Sequence, residues 1–451
     1  MSKQDQKELR QQIVCEWLQE NYLNYGSLRH DVVTDRLQIR MADSLEDASL
    51  QNAPEGLQFR GKENWRNLTD KDINTMVCQC VAEKGVNIST NEMWTALKSD
   101  MVPAVHPLRA WLDGLRPYTA DQPDWIDWLA QQVRVKPSGE EAKGDKARGD
   151  KARGEELWRT CFKKWFVAMV ASWMHDEVVN HTALVLVGRQ GIFKTTWLEH
   201  LIPPALRAYS SKMPLNGQIS KDDRLRLCEN AMLNIDELDA ICGREMNIVK
   251  SLLTSTDVNE RAAYGRLKER RMRLASFCAS TNNREFLTDI TGNRRWLPFE
   301  VESIQNPFHI TLPYERIYAQ AKALIEGGTY MYWFDLEDIE QLEKHNEDFR
   351  AQENEEQLLP ILFDIPAEGK GEFMTTAEIS DKLVTYGGIK KPMSIRQLGM
   401  LLAKRGFQKK QVYLSGSNVR GWIVYKRQTD EIELLKKMDS YSATSQPTDL
   451  Y

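Results

Sequence analysis

Ala183-Leu184-Val185-Leu186-Val187 runs into Gly188-Arg189-Gln190-Gly191-Ile192-Phe193-Lys194-Thr195-Thr196 and then into Trp197 to Leu201. A short β-branched run, a glycine-bearing loop and a helical segment in that order form the unit that cradles a triphosphate. Loop and helix-terminal N–H groups point at phosphate oxygens, where the helix dipole also favours negative charge. On this reading Gly188, Gln190, Gly191, Ile192, Phe193, Lys194, Thr195 and Thr196 surround the nucleotide phosphates. Lys194 reaches the β and γ phosphates, and Thr195 places its hydroxyl on Mg²⁺. The bland alternative is a strand-to-helix turn with a surface lysine, which the flanks argue against. One position departs from the GxxxxGK[ST] pattern: Phe193 stands where the second glycine is usual. A phenylalanine there is expected to fit only with a backbone that avoids φ > 0.

Similar apolar runs recur at Ala231 to Ile235, Leu274 to Ala279 and Arg295 to Phe299. Short buried strands alternating with helical segments predict an α/β domain with a largely parallel sheet. The second run leads into Asp236-Glu237-Leu238-Asp239. Asp236 is placed to hold Mg²⁺ through water and Glu237 to polarise an attacking water, although an acidic pair at a strand end is often only a helix cap. The third run ends in Ser280-Thr281-Asn282-Asn283, where Asn282, or else Asn283, can bond the attacking water or the γ phosphate. Then comes Thr291-Gly292-Asn293-Arg294-Arg295-Trp296. Its arginines are either solvated turn residues or a finger reaching the phosphate of a neighbouring subunit.

The chain has 451 residues, 41% hydrophobic and 28% charged, which predicts two to four domains and excludes collagen-like or wholly disordered classes. Seven cysteines form no CxxC pair, so neither a disulfide framework nor a zinc site is expected. With no apolar span or signal core, a cytoplasmic protein without membrane attachment is expected. The net charge of −5 hides local contrast: 333–357 is dense in Asp and Glu, whereas 390–427 contains neither. Residues 137–155, with GDKAR twice in tandem, read as a solvated linker. The expected domains are a mainly helical 1–136, a P-loop core at 156–310, a helical extension at 311–367, a basic domain at 368–428 and a tail at 429–451.

GRQGIFKTT, MLNIDELD, STNN and TGNRRW in this order resemble the AAA+ core of superfamily III helicases. More narrowly they resemble the virulence-associated protein E family, related to poxvirus-type NTPase-primases of mobile elements. The resemblance is firmest over 158–300. It implies an AAA+ P-loop ATPase with Lys194 and Thr195 as Walker A, Asp236 and Glu237 as Walker B, Asn282 as sensor 1 and Arg294/Arg295 as the finger. It also implies ATP and Mg²⁺ as cofactors and a ring, expected to be a hexamer.

Between Walker B and sensor 1, residues 259–273 set Tyr264 beside Arg266 and Lys268 in a largely basic run. The resemblance implies a pore hairpin there, gripping single-stranded DNA by phosphate neutralisation and stacking. The alternative is a solvated face in which the arginines pair with Asp257, Glu260 and Glu269. Thr375 to Val384, Ser394 to Arg405 and Val412 to Tyr425 read helix, helix, hairpin, the order of a winged helix. Arg396, Gln397, Lys404 and Arg405 would face DNA, with Lys409, Lys410 and Arg420 on the wing. The expected function is an ATP-dependent helicase or translocase on single-stranded or forked DNA in replication of a mobile element. No primase constellation occurs in the first 150 residues, so priming would fall to a separate polypeptide. A nucleic-acid-sensing AAA+ switch and a non-hydrolysing DNA-binding scaffold are the alternatives, the scaffold resting on Phe193.

Overall fold

The five residues Ala183–Val187 are all buried, inside a six-stranded sheet. Its strands lie in the order Val133–Val135, Trp296–Ile304, Ala183–Val187, Ser276–Thr281, Met232–Ile235, Ser210–Lys212. Every neighbouring pair is parallel except the first, which is antiparallel. Burial on both faces explains why Ala183–Val187 is an unbroken apolar run rather than an alternating one. The register pairs Val187 with Thr281 and Ala279 with Ile235, so the three chemistry-bearing strands end along one edge of the sheet.

This computed structural model describes residues 2–40, 65–137, 145–213, 219–235, 238, 243–260, 269–287, 293–351, 354–367, 371–389, 392–414 and 417–433. They divide into two compact units, Met1–Asn283 with Arg295–Leu342, and Arg284–Arg294 with Glu343–Tyr451. Among the described residues no helix is long and apolar enough to cross a membrane.

In the first unit, helix Asp145–Met174 covers the sheet with Trp158, Phe162, Trp165, Phe166 and Trp173, all fully buried. Trp158 meets Phe299 at 5.1 Å between ring centroids, and Phe166 meets Tyr318 of helix Tyr314–Glu326 at 5.1 Å. Trp165 Nε1 donates to Phe277 O at 3.1 Å, so a ring that fills the core also satisfies its one donor. The helix corrects the expected linker, because from Asp145 onward that segment is helical. The Lys, Ala and Arg of the repeat are good helix formers and outweigh Gly149 and Gly154, which cost about 1 kcal/mol each relative to alanine.

The N-terminal part has its own core around Trp17, Leu18, Ile73, Met76, Met93 and Leu97. Helices Lys3–Leu18, Asp70–Lys84 and Thr90–Leu97 contribute to it as expected. The expectation of a mainly helical region is nonetheless incomplete. A four-stranded mixed sheet stands there, ordered Trp65–Asn67, Arg36–Arg40, Leu28–Asp31, Ala104–Val105. Its hairpin is tied by Asp31, whose buried carboxylate accepts from Val33 N at 2.9 Å, Thr34 Oγ1 at 2.6 Å and Tyr209 OH at 2.9 Å.

In the second unit, helices Thr376–Gly387 and Ile395–Lys404 precede a hairpin of Gln408–Leu414 and Ser417–Lys426. This is the expected helix, helix, hairpin order. Capping boxes at Thr375/Glu378 and Ser394/Gln397 set both helix starts. The apolar faces close on Leu383, Leu398, Leu402, Trp422 and Val424. The acidic segment supplies helix Asn354–Leu362 to this unit. Its Glu356 is buried against Arg350 at 2.7 Å, and Glu355 accepts from Met393 N at 2.6 Å.

Candidate functional site

The loop leaving Val187 turns on three residues with positive φ: Gly188 at 151°, Gly191 at 85° and Phe193 at 66°. Gly188 has a second constraint, because a Cβ there would lie 3.1 Å from Val301 O and 3.2 Å from Ile192 Cδ1. Phe193 overturns the expectation that it must avoid φ > 0. It takes the left-handed conformation that a glycine would take, with ψ 19°, immediately before helix Lys194–Glu199. A bulky residue there costs on the order of 1–2 kcal/mol. Its ring, half-buried with Ile192 against the main core, meets Phe308 edge-on at 6.5 Å, and this contact offsets the strain.

Lys194 is buried, and its ammonium donates to Gly188 O at 2.6 Å, Arg189 O at 2.9 Å and Asn282 Oδ1 at 3.0 Å. Thr195 Oγ1 lies 2.9 Å from Ser280 Oγ. Lys194 and Thr195 from one segment and Asn282 from another are thus brought together where the strands end. Ser280 is the partner that sequence reasoning missed, although a hydroxyl at a parallel strand end is a readable signal. Asn283 turns back instead, its N–H donating to Thr281 Oγ1 at 3.1 Å. Gln190 and Gly191 are exposed, and Thr196 O is bonded to His200 Nδ1 at 2.7 Å.

Among the described residues, the backbone N–H groups of Arg189, Gln190, Gly191, Ile192 and Phe193 have no acceptor. Five successive donors beside a buried ammonium match the needs of a polyanion, since each amide can bond an oxygen without displacing a protein partner. The donor set fits a phosphate chain, and the Thr195 hydroxyl at the same edge fits an oxygen-liganded Mg²⁺.

Asp236 and Glu237 lie outside the described residues; Ile235, which precedes them, registers with Ala279. Arg294 is exposed and Arg295 half-exposed in the turn Asn293–Arg295. The next residue, Trp296, pairs with Ala183, at the start of the strand whose far end carries the loop. The structure therefore does not bring Arg295 to its own chain's 188–193 loop.

Tyr264, Arg266 and Lys268 also lie outside the described residues, but the flanking strands Asp257–Glu260 and Glu269–Met272 pair antiparallel. Part of that basic run is structural. Arg270 pairs with Asp257 at 2.8 Å and Arg271 with Glu229 at 3.3 Å. Arg273 is fully buried, donates to Leu252 O at 2.6 Å, and is pushed down to about 9 by burial. In the second unit Lys404 pairs with the half-exposed Glu347 at 2.6 Å and Arg405 approaches the buried Glu356 at 3.6 Å, so both face carboxylates of their own chain. Lys409 lies over the Trp422 ring at 5.8 Å. Arg396, Lys410 and Arg420 are exposed and have no ion pair among the described residues.

Residues 151–351 match the virulence-associated protein E-like domain. No curated protein matches the chain. Solved structures, two of the NrS-1 C-terminal region among them, are also similar to the chain. One is the A-form apo structure of the NrS-1 C-terminal region, at 11% identity, covering 88% of this chain and 96% of that one with a TM-score of 0.41. The other is an apo structure of the same region, at 11% identity, covering 88% and 95% with a TM-score of 0.42.

Proposed function

We propose that this chain, whose residues 151–351 are a virulence-associated protein E-like domain, is an ATP-dependent DNA helicase or translocase. The observation that carries the reading is the buried Lys194 ammonium, held between two loop carbonyls and Asn282 beside five unpaired loop N–H groups. The central sheet then belongs to an AAA+ P-loop core, and the C-terminal helix, helix, hairpin to a winged-helix-like domain. Lys194 and the loop amides bind the phosphates of ATP. Thr195 and Asp236 would hold Mg²⁺, which when bound neutralises charge on the β and γ phosphates. Glu237 orients the attacking water, and Asn282 fixes its position from the neighbouring strand. Arg295, with Arg294 beside it, serves the site of an adjacent subunit in a ring, a hexamer on this reading. The 261–268 segment and the exposed Arg396, Lys410 and Arg420 contact single-stranded or forked DNA during replication of a mobile element in the cytoplasm, with a separate primase.

A nucleic-acid-sensing switch keeps the same ATPase residues. It gains support from Lys404 and Arg405, whose own-chain carboxylate partners reduce the cations left for DNA. A non-hydrolysing scaffold loses its main argument, because Phe193 takes the glycine-like backbone instead of deforming the loop. ATP turnover measured with and without single-stranded DNA tests the reading, with Lys194→Ala as control. Stimulated turnover abolished by that substitution is expected; the absence of turnover in every oligomeric form refutes the motor. Strand displacement on a forked duplex separates motor from switch.

A further inference from the structure

Phe308 is an apolar ring left 70% exposed in the short turn Pro307–His309, which Asn306 caps by accepting from Phe308 N at 3.0 Å. It is not an isolated surface residue. Its ring meets Phe193 edge-on at 6.5 Å and the His200 imidazole edge-on at 5.6 Å. Phe193 contributes its N–H to the phosphate loop and its ring to Phe308, so the exposed aromatic face stands one side chain away from the phosphate donors. His200 ends the helix that Lys194 begins. Tyr314 OH donates to His200 O at 2.7 Å and Tyr318 OH to Leu201 O at 2.9 Å, which fixes that helix end. His200 Nδ1 lies 2.7 Å from Thr196 O. A carbonyl only accepts, so Nδ1 carries the proton and Nε2 of the neutral ring is left as an acceptor.

We infer that Phe308 and His200 form the base-binding face of the phosphate site, Phe308 stacking on the base and His200 Nε2 accepting from an exocyclic amine. The ligand class is then a nucleoside triphosphate with an amine-bearing base, adenine in the first instance, rather than any triphosphate. The inference rests on the phosphate-loop reading, and its test keeps the two apart.

The test is calorimetric binding of ATP, ITP and inorganic tripolyphosphate, each with Mg²⁺, to the full chain and to Phe308→Ala, Phe308→Trp, His200→Ala and Lys194→Ala. Stacking on an aromatic side chain predicts that ATP binds on the order of tenfold more tightly than tripolyphosphate. Phe308→Ala should remove that advantage while tripolyphosphate affinity stays, and Phe308→Trp should keep it. ITP, whose base has a carbonyl in place of the amine, should bind several-fold more weakly than ATP, and His200→Ala should erase the difference. Unchanged ATP affinity in Phe308→Ala, with tripolyphosphate still bound through Lys194, overturns the base face and leaves the phosphate site standing. Failure of the wild type to bind either ATP or tripolyphosphate overturns both.

Discussion

Lys194 Nζ donates to Asn282 Oδ1 at 3.0 Å, tying the lysine after the phosphate loop to the residue after the neighbouring parallel strand. The amide oxygen accepts from a buried ammonium that also donates to two loop carbonyls. Removing it leaves the lysine able to meet phosphate but takes away a polar group at the reacting end. Asn282→Ala should therefore lower kcat for ATP on the order of 10²-fold with affinity within a few-fold, as for loss of one oriented polar group. Asn282→Asp should instead weaken nucleotide binding, because a carboxylate would hold the ammonium against the incoming phosphate. Steady-state kinetics and equilibrium binding on the same preparations separate the two effects.

Phe193 combines a left-handed backbone with an aromatic contact, and two substitutions pull these apart. Phe193→Ala loses the ring and keeps the strain; Phe193→Gly loses the ring and releases the strain. The glycine variant should be the more stable by about 1 kcal/mol, the reverse of the usual glycine penalty, because φ > 0 costs an alanine about 1–2 kcal/mol. Urea denaturation of the pair checks the sign. Alanine more stable than glycine would mean that the backbone at this position is not held left-handed in solution.

Stability should fall with mild acid through His106. Its Nδ1 accepts from Arg109 N at 3.3 Å and caps helix Pro107–Asp113. Burial, and then the neighbouring Arg109 charge, push the imidazole down to about 4 from its ordinary 6.5. The unfolded chain therefore binds the proton first, and the native state loses stability as pH falls from about 6.5 toward about 4. The contribution is fully present above that window. His106→Asn keeps a capping oxygen without titrating, so its urea midpoint should fall less between pH 7.5 and 5.5 than that of the wild type. Equal slopes would assign the acid sensitivity elsewhere.

The central strand of the site was readable because a parallel strand buried on both faces reads as a continuous apolar run, as 183–187 does. The N-terminal sheet gave no such signal. Leu28–Asp31 and Arg36–Arg40 are short and mostly polar, and their hairpin depends on Asp31, a carboxylate buried through long-range contact with Tyr209. Lys194, Thr195 and Asn282 were legible from spacing. Phe308 was not, because it gains its relation to the loop only through packing with a segment distant in sequence.

Arg295 precedes Trp296, which pairs with Ala183, whereas the phosphate loop follows Val187. Four residues of strand separate those levels, about 13 Å at the usual rise. If Arg295 stabilises charge on a transferring phosphate, it must do so for another subunit. Lys194→Ala and Arg295→Ala should each abolish turnover alone. Mixed in equal amounts with subunit exchange, they should recover activity at interfaces where an intact Lys194 meets an intact Arg295, roughly a quarter of those in a randomly mixed head-to-tail ring. Arg294→Ala in the same mixture identifies which arginine of the pair acts. Recovery that depends on Arg295 places the finger across the interface, and no recovery despite demonstrated exchange removes it from the mechanism.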